Sequence, residues 1–233
     1  MKLKIVALGF VPTEALKAAK HFRSSIITLE PGVDTFVFAG DSDLDHWAYS
    51  DELIGASVRE YETDLTLILT NQRLENNWYA RRLGNSRAVI TFYEMDEILR
   101  SADIPLGNLI YRVVNAYYLM YVQNGDSLPD YNQSTNHTHD DTRGCLFDMT
   151  GQKSEIVRSC ASPIICSECT VRIHKGGVPA ETLDAVKGDL RRVRRTFFQA
   201  TRHELRRRPF VSFLCATGFG AALSSISGWM AQS

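Results

Sequence analysis

The sequence has almost no net charge, with 26 Lys and Arg against 27 Asp and Glu in 233 residues, a balance that conceals an uneven distribution. It has no internal repeat and no low-complexity tract, and its 7 prolines and 15 glycines are far too few for a collagen-like chain. Cysteine is scarce and odd in number. Cys145, Cys160, Cys166, Cys169 and Cys215 are the five, and four of them fall within 25 residues, a layout that excludes a secreted disulfide framework and points to a reducing compartment. A signal peptide is not expected at the start. Met1-Lys-Leu-Lys-Ile-Val-Ala-Leu-Gly-Phe has the basic start and apolar run of one, but Glu14 and Lys17 follow with no small-residue cleavage site, so a first core strand is expected there. With 44% hydrophobic residues, the chain can bury one sizeable core or two small ones.

Charge is unevenly distributed. Residues 187–208 hold Lys187 and eight arginines against Asp189 and Glu204, and residues 209–233 carry no charge, leaving 17 basic and 25 acidic residues in 1–186. An acidic body of net charge −8, a basic stretch and an uncharged tail follow one another.

Along the body, 3–10 is a β-branched, apolar strand, and 13–23 is a helix opened by Pro12 with Leu16, Ala19 and Phe22 on one stripe. Short strands fit 25–29 and 35–39. The acidic turn that follows carries Asp41, Asp43 and Asp45, but the Gly and Glu of an EF-hand loop are missing, so a solvated loop is expected. Unbroken apolar runs at 65–69 and 87–92 predict strands buried on both faces, joined by a polar connection containing Trp78, Tyr79, Arg81 and Arg82. Residues 93–101 and 106–122 are helices. The second is central to the core, because Leu109, Val113, Tyr117 and Met120 form a stripe that Ile110, Val114 and Leu119 widen.

The chemistry lies in His137-Thr-His139-Asp-Asp-Thr-Arg-Gly-Cys145 and, 20 residues further, Cys166-Ser-Glu-Cys169. A Cys-x2-Cys pair on a tight turn offers two thiolates at the bite of tetrahedral zinc, and a distant Cys with a His completes a Cys3His set. His139, nearer Cys145 in sequence, is the preferred fourth ligand and His137 the alternative; Cys160 is left over. Four protein ligands make a closed, structural zinc, one per chain. A thioredoxin-type redox pair is disfavoured, because Pro163-Ile-Ile and Thr170-Val-Arg-Ile suggest a knuckle between short strands. A His-x-His-x-Asp hydrolase cluster lacks further ligands downstream, where only His174 and His203 remain.

Gly144-Cys-Leu-Phe-Asp-Met149, with Asp148 and Lys153 before Cys166-x2-Cys169, resembles the C-terminal zinc knuckle of the archaemetzincins. The preceding order of strand ending at Asn71, polar loop, strand at 87–92 and long helix is also similar, over roughly residues 62–173. The resemblance implies an α/β, zincin-like mixed sheet with a long core helix and a zinc knuckle. In that family the long helix carries His-Glu-x-x-His-x-x-Gly-x-x-His, which binds a catalytic zinc. Here no His or Glu occurs from 101 to 136, so the two imidazoles and the general base that a zincin needs are absent. The resemblance therefore implies an inactive relative that keeps the structural zinc, with a His where the family has the first knuckle Cys.

Three regions are expected: 1–178 as the zincin-like domain with its knuckle at 137–169, 179–208 as a basic helix or linker, and 209–233 as an apolar C-terminal helix. A helix over 181–205 has an apolar stripe of Leu183, Val186, Leu190, Val193 and Phe197. Its Arg191, Arg192, Arg194 and Arg195, followed by Arg206, Arg207 and Arg208, suit phosphate of nucleic acid or lipid. From 210 to 230 the tail is uncharged and long enough for one membrane crossing, and Ala216, Gly220 and Ser224 form a small-residue face for self-association. The expectation is a non-catalytic zinc domain held in the cytoplasm at the inner membrane and self-associating through its tail, an architecture that suits a membrane-acting effector or sensor, for example in bacterial antiviral defence. The alternatives are a soluble nucleic-acid-binding or regulatory oligomer using the arginines and a divergent zinc metallopeptidase.

Overall fold

The computed structural model describes residues 1–129 and 137–193. The apolar run at the N-terminus forms β1 (Lys2–Leu8), and Pro12 starts α1 (Thr13–Lys20), which buries Ala15 and Ala19. Two very short strands follow, β2 (Thr28–Leu29) and β3 (Asp34–Phe36), then β4 (Ala48–Tyr49) and α2 (Asp51–Ala56), whose N-cap Ser50 accepts from the Leu53 N–H. The next elements are β5 (Leu65–Thr70), β6 (Arg73–Leu74), β7 (Ala80–Gly84) and β8 (Arg87–Thr91). Helices complete the chain: α3 (Met95–Ser101), α4 (Gly107–Gln123), α5 (Ile156–Ala161), α6 (Ser167–Lys175) and α7 (Ala180–Leu190).

The main sheet is mixed, in the order β2-β1-β5-β8-β7, and β4 pairs with β6 apart from it. Strands β1, β5 and β8 run parallel, with Ile5 opposite Leu67 and Ile68 opposite Val89. Only β7 is antiparallel, hairpinned onto β8 with a register shift between Arg82 and Gly84. Strands β2 and β3 share one edge of β1, pairing with Lys2–Leu3 and Val6–Leu8 in turn. The chain between them loops out, and the Lys4 ammonium fills the gap by donating to the Pro31 carbonyl at 3.1 Å and pairing with Asp34 at 3.4 Å.

Alternation along the strands divides the interior. Leu3, Ile5, Leu67, Leu69, Ala88 and Ile90 face the larger core with α1, α3 and α4, while Val6, Leu8, Ile68 and Val89 meet Ile54, Val58 and Leu74 on the α2 side. Sheet strands covered on both faces lose the polar alternation of half-exposed ones, as β5 does, buried at all six positions. The helix α4 buries Leu109, Val113, Val114 and Tyr117 together with Asn108, Arg112 and Asn115.

The strand β7 runs through the connection expected to be polar loop. Its Arg81 is buried because the Asp51 carboxylate takes its guanidinium at 2.5 and 2.6 Å and Glu75 lies at 3.3 Å, so charge pairing stands in for apolar patterning. The Cys-x2-Cys segment also differs from expectation. Residues 170–173 are helical rather than extended, because Cys166 is the N-cap of α6 and its sulfur accepts from the Cys169 N–H. The basic helix expected over 181–205 is described as α7, which ends at Leu190 and puts Leu183, Val186 and Leu190 into the main core. Asp189, 1% exposed, accepts from the Ser25 N–H and hydroxyl. One compact unit thus spans Met1–Arg194.

The proposed inner-membrane location is corrected here. Among the described residues no helix is long and apolar enough to cross a membrane; the 17 residues of α4 reach about 26 Å at 1.5 Å per residue, short of a hydrocarbon layer of about 30 Å. The tail on which that location rested, with Ala216, Gly220 and Ser224, lies outside the described residues, as do Arg194, Arg195, Arg206, Arg207 and Arg208.

Candidate metal centre

Three segments converge beside α4. His139 N–H donates to the Phe147 carbonyl at 3.0 Å, and Met149 N–H returns to the His139 carbonyl at 2.9 Å. On the other side Leu146 N–H donates to Ile164 and Ile164 N–H to Gly144, at 2.9 and 3.0 Å. The turn joining them needs Gly144, whose φ of +83° lies in the left-handed region and whose added Cβ would fall 3.0 Å from Arg158 Cγ. Helix α6 then delivers Cys166 and Cys169 from its first turn.

The result brings His139, Cys145, Cys166 and Cys169 together, one ligand atom from each, all within 4.8 Å of one another. Among the described residues this is the one such group of three or more metal-ligating side chains; Asp41, Asp43 and Asp45 form none. His139 Nε2 lies 3.6 Å from Cys166 Sγ. Zinc–nitrogen and zinc–sulfur bonds at the tetrahedral angle put the two ligand atoms about 3.6 Å apart. His137 is not in the group: its Nδ1 lies 3.1 Å from Gln123 Oε1, and burial, with Arg172 and Arg82 nearby, holds its imidazole below the usual range.

The surroundings suit a thiolate-rich cation site. The Cys145 sulfur accepts from the Cys166 N–H at 3.4 Å and the Cys166 sulfur from the Cys169 N–H at 3.5 Å. Arg172 Nη2 is 3.1 Å from Cys169 Sγ and Arg143 Nη1 is 3.8 Å from Cys166 Sγ, so two guanidiniums offset the net negative charge of three thiolates and one Zn2+. The Cys145 thiol is pulled down to about 5, first by the S–H of Cys169 directed at it, with burial opposing and the backbone N–H of Cys166 and Phe147 assisting. Cys169, donor of that shared proton, is pushed upward. Cys160 is fully buried and pushed up to about 12 by burial, which makes it an inert thiol apart from the group.

Asp148, part of the motif that resembles the family's knuckle, takes on a definite role in the structure. Its side chain is fully buried; Oδ2 accepts from three successive N–H groups, Arg143 at 3.1 Å, Gly144 at 2.7 Å and Cys145 at 3.0 Å. The other oxygen, Oδ1, lies 3.5 Å from His139 Nε2 and has no hydrogen-bond partner among the described residues, nor does His139 Nδ1. A buried carboxylate oxygen left unpaired beside four soft and borderline donors is an electrostatic fit for a divalent cation. The site is anchored to α4 through Arg112, 2% exposed, which donates to Ser159 Oγ at 2.7 Å, Tyr79 Oη at 2.9 Å and the Asp148 carbonyl at 3.4 Å.

Cys166 at a helix N-terminus is where a redox pair would also be found, so local structure does not separate the two readings. The convergence of Cys145 and His139 on the pair does, because a dithiol needs neither. Where the sequence places a zincin's metal helix, α4 presents Leu109, Val113, Val114 and Tyr117 to the core. Of the basic residues expected to contact phosphate, Arg191 and Arg192 are described, both exposed after α7.

A mixed α/β sheet with a buried Cys3His group defines the class of protein. No family model and no curated protein matches the chain. Two solved structures are similar to it, and both are archaemetzincins. The one from Methanopyrus kandleri is 18% identical, covering 76% of this chain and 94% of that one at a TM-score of 0.48. The one from Archaeoglobus fulgidus, complexed with malonate, is 16% identical, covering 74% and 99% at a TM-score of 0.40. The knuckle motifs in the sequence resemble the same family, and the departure from it is the missing His-Glu-x-x-His on α4.

Proposed function

We propose that this chain is a non-catalytic, archaemetzincin-like domain whose zinc is structural, with His139, Cys145, Cys166 and Cys169 as the four ligands. The observation that supports it is the closed, buried donor set: Cys145 and Cys169 are 0% exposed and the His139 side chain 8%, leaving no ligand position for a water to be activated. Zinc bound in this way clamps residues 139–149 onto α6. Structural zinc contributes on the order of 10 kcal/mol in small folds, against a net stability of about 5–15 kcal/mol for a domain, so losing it unfolds the knuckle and much of what packs on it.

The test is metal analysis of the purified full chain and of Cys166→Ser and Cys169→Ser. One zinc per chain is expected, lost together with solubility in either variant. A metal-free, fully folded chain refutes the structural zinc. Chelator-sensitive peptide hydrolysis, abolished by His137→Ala with the fold intact, refutes the non-catalytic reading and establishes a divergent metallopeptidase in its place.

A further inference from the structure

We propose that the hollow between α1, the start of α4 and the turn after α7 binds a small phosphomonoester. This cavity is separate from the Cys3His group and has a volume of about 370 Å3, within the roughly 300–1,000 Å3 of ligand pockets. Its floor is the close crossing of α1 and α4, where two small residues meet and a Cβ on Gly107 would fall 2.6 Å from the Ala18 Cβ. Tyr111 supplies an apolar wall. Its hydroxyl is tied to the Arg23 backbone, accepting at 3.1 Å and donating at 3.2 Å, and Phe22 packs on its ring at 4.7 Å.

Two cations line the rest: Lys17 stands in the last turn of α1 and Arg192 approaches from beyond α7, together with the imidazole of His21, the C-cap of α1. Lys17 has no ion-pair partner among the described residues. His21 Nδ1 is engaged with the Lys17 carbonyl at 2.7 Å, so Nε2 is the ring nitrogen left for a ligand. Arg192 Nε lies 3.5 Å from Asp189, a carboxylate shared with Ser25, and its side chain is 45% exposed. The single acid in the lining, Glu14, is already paired: Arg100 lies 3.1 Å from one oxygen, and the Leu106 N–H donates to the other at 3.4 Å. The first turn of α4 has no acidic residue and no side-chain cap of its own, so its positive end adds to the same sign.

Lys17 and Arg192 against one paired acid, Glu14, is the reverse of the balance in residues 1–186, which carry 17 basic and 25 acidic residues. An anion entering this acidic body finds here a local reversal of sign. Donors arriving from three directions suit a tetrahedral dianion better than a flat carboxylate, which one arginine fork satisfies. The volume exceeds a bare phosphate and leaves room for a small organic body against Tyr111.

The experiment is calorimetric titration of the full zinc-loaded chain with ribose 5-phosphate, inorganic phosphate and acetate at fixed ionic strength. Saturable binding of ribose 5-phosphate is expected, tighter than inorganic phosphate, with acetate not bound. The double substitution Lys17→Gln, Arg192→Gln weakens it about tenfold or more, while Arg59→Gln, an exposed arginine paired with Asp34 outside the cavity, leaves it unchanged. All three side chains are exposed, and unaltered zinc content and thermal midpoint confirm that the fold is retained. The proposal is overturned by absence of saturation, by equal loss in Arg59→Gln, by acetate binding as well as phosphate, or by no gain from the sugar body.

Discussion

Replacing Asp148 tests how the metal centre is held. Its Oδ2 gathers the N–H groups of residues 143, 144 and 145, so the one carboxylate fixes the turn that presents Cys145, while Oδ1 lies 3.5 Å from the His139 Nε2 and adds negative charge beside the donor set. A hydrogen bond to a charged acceptor contributes about 1.5–3 kcal/mol. Three that share one oxygen do not add independently, and loss of a buried charge from its network costs roughly 3–5 kcal/mol. Groups that orient a metal ligand are worth about 10- to 100-fold in metal affinity, or about 1.4–2.7 kcal/mol. Asp148→Ala is therefore expected to lower the stability of the zinc-loaded chain by about 3–5 kcal/mol and to weaken zinc at least tenfold. Asp148→Asn, which keeps one acceptor oxygen for the turn but no charge, should fall between that variant and the parent. Urea denaturation at fixed zinc reads the first quantity, and competition with a fluorescent chelator the second. If Asp148→Ala stays within about 0.5 kcal/mol of the parent and binds zinc equally well, the carboxylate is a bystander and the argument fails.

Two further substitutions probe packing and titration away from the metal. Gly107→Ala drives a methyl into Ala18 at the crossing of α1 and α4, and a loss of about 1–3 kcal/mol in thermal or urea melts is expected; adding Ala18→Gly should recover part of it, and additive losses in the double variant would disprove the clash. Cys160 keeps its proton in the folded state up to about 12, against an ordinary 9.0. The unfolded chain sheds that proton first, so stability falls as pH rises from 9 toward 12, by up to about 1.4 kcal/mol per pH unit. Comparing urea midpoints at pH 8 and pH 10, Cys160→Ala should show the shallower decline; parallel declines would mean that burial does not hold the thiol.

The parts of the fold legible in the sequence are those where burial is achieved by apolar side chains alone. The runs at 65–69 and 87–92 become β5 and β8, and the wide stripe of 106–122 becomes α4, because nothing but a two-sided core accommodates them. Illegible were the elements whose burial depends on distant partners. Strand β7 hides Arg81 and Arg82, and the acids that take up Arg81 come from residues 51 and 75. Helix α6 was read as extended from its β-branched Thr170-Val171 and Ile173, a propensity overridden by the Cys166 cap and by burial of Cys169 and Ile173 on one face. At the candidate site, spacing indicated the thiols and His139. Asp148 belongs to the motif that carries the family resemblance, but its grip on the turn, and the guanidiniums of Arg143 and Arg172 beside sulfur, carry no spacing signature.

The split edge beside β1 and the hairpin at the opposite edge have a consequence for how the main sheet ends. On one side β2 and β3 cover only two and three residues, separated by Pro31 with the Lys4 ammonium beneath. On the other, β7 is kinked between Arg82 and Gly84. Neither border offers the long, flat row of unpaired N–H and C=O groups on which a foreign strand can grow. Among the described residues, the borders of the main sheet thus offer little purchase for edge-to-edge growth.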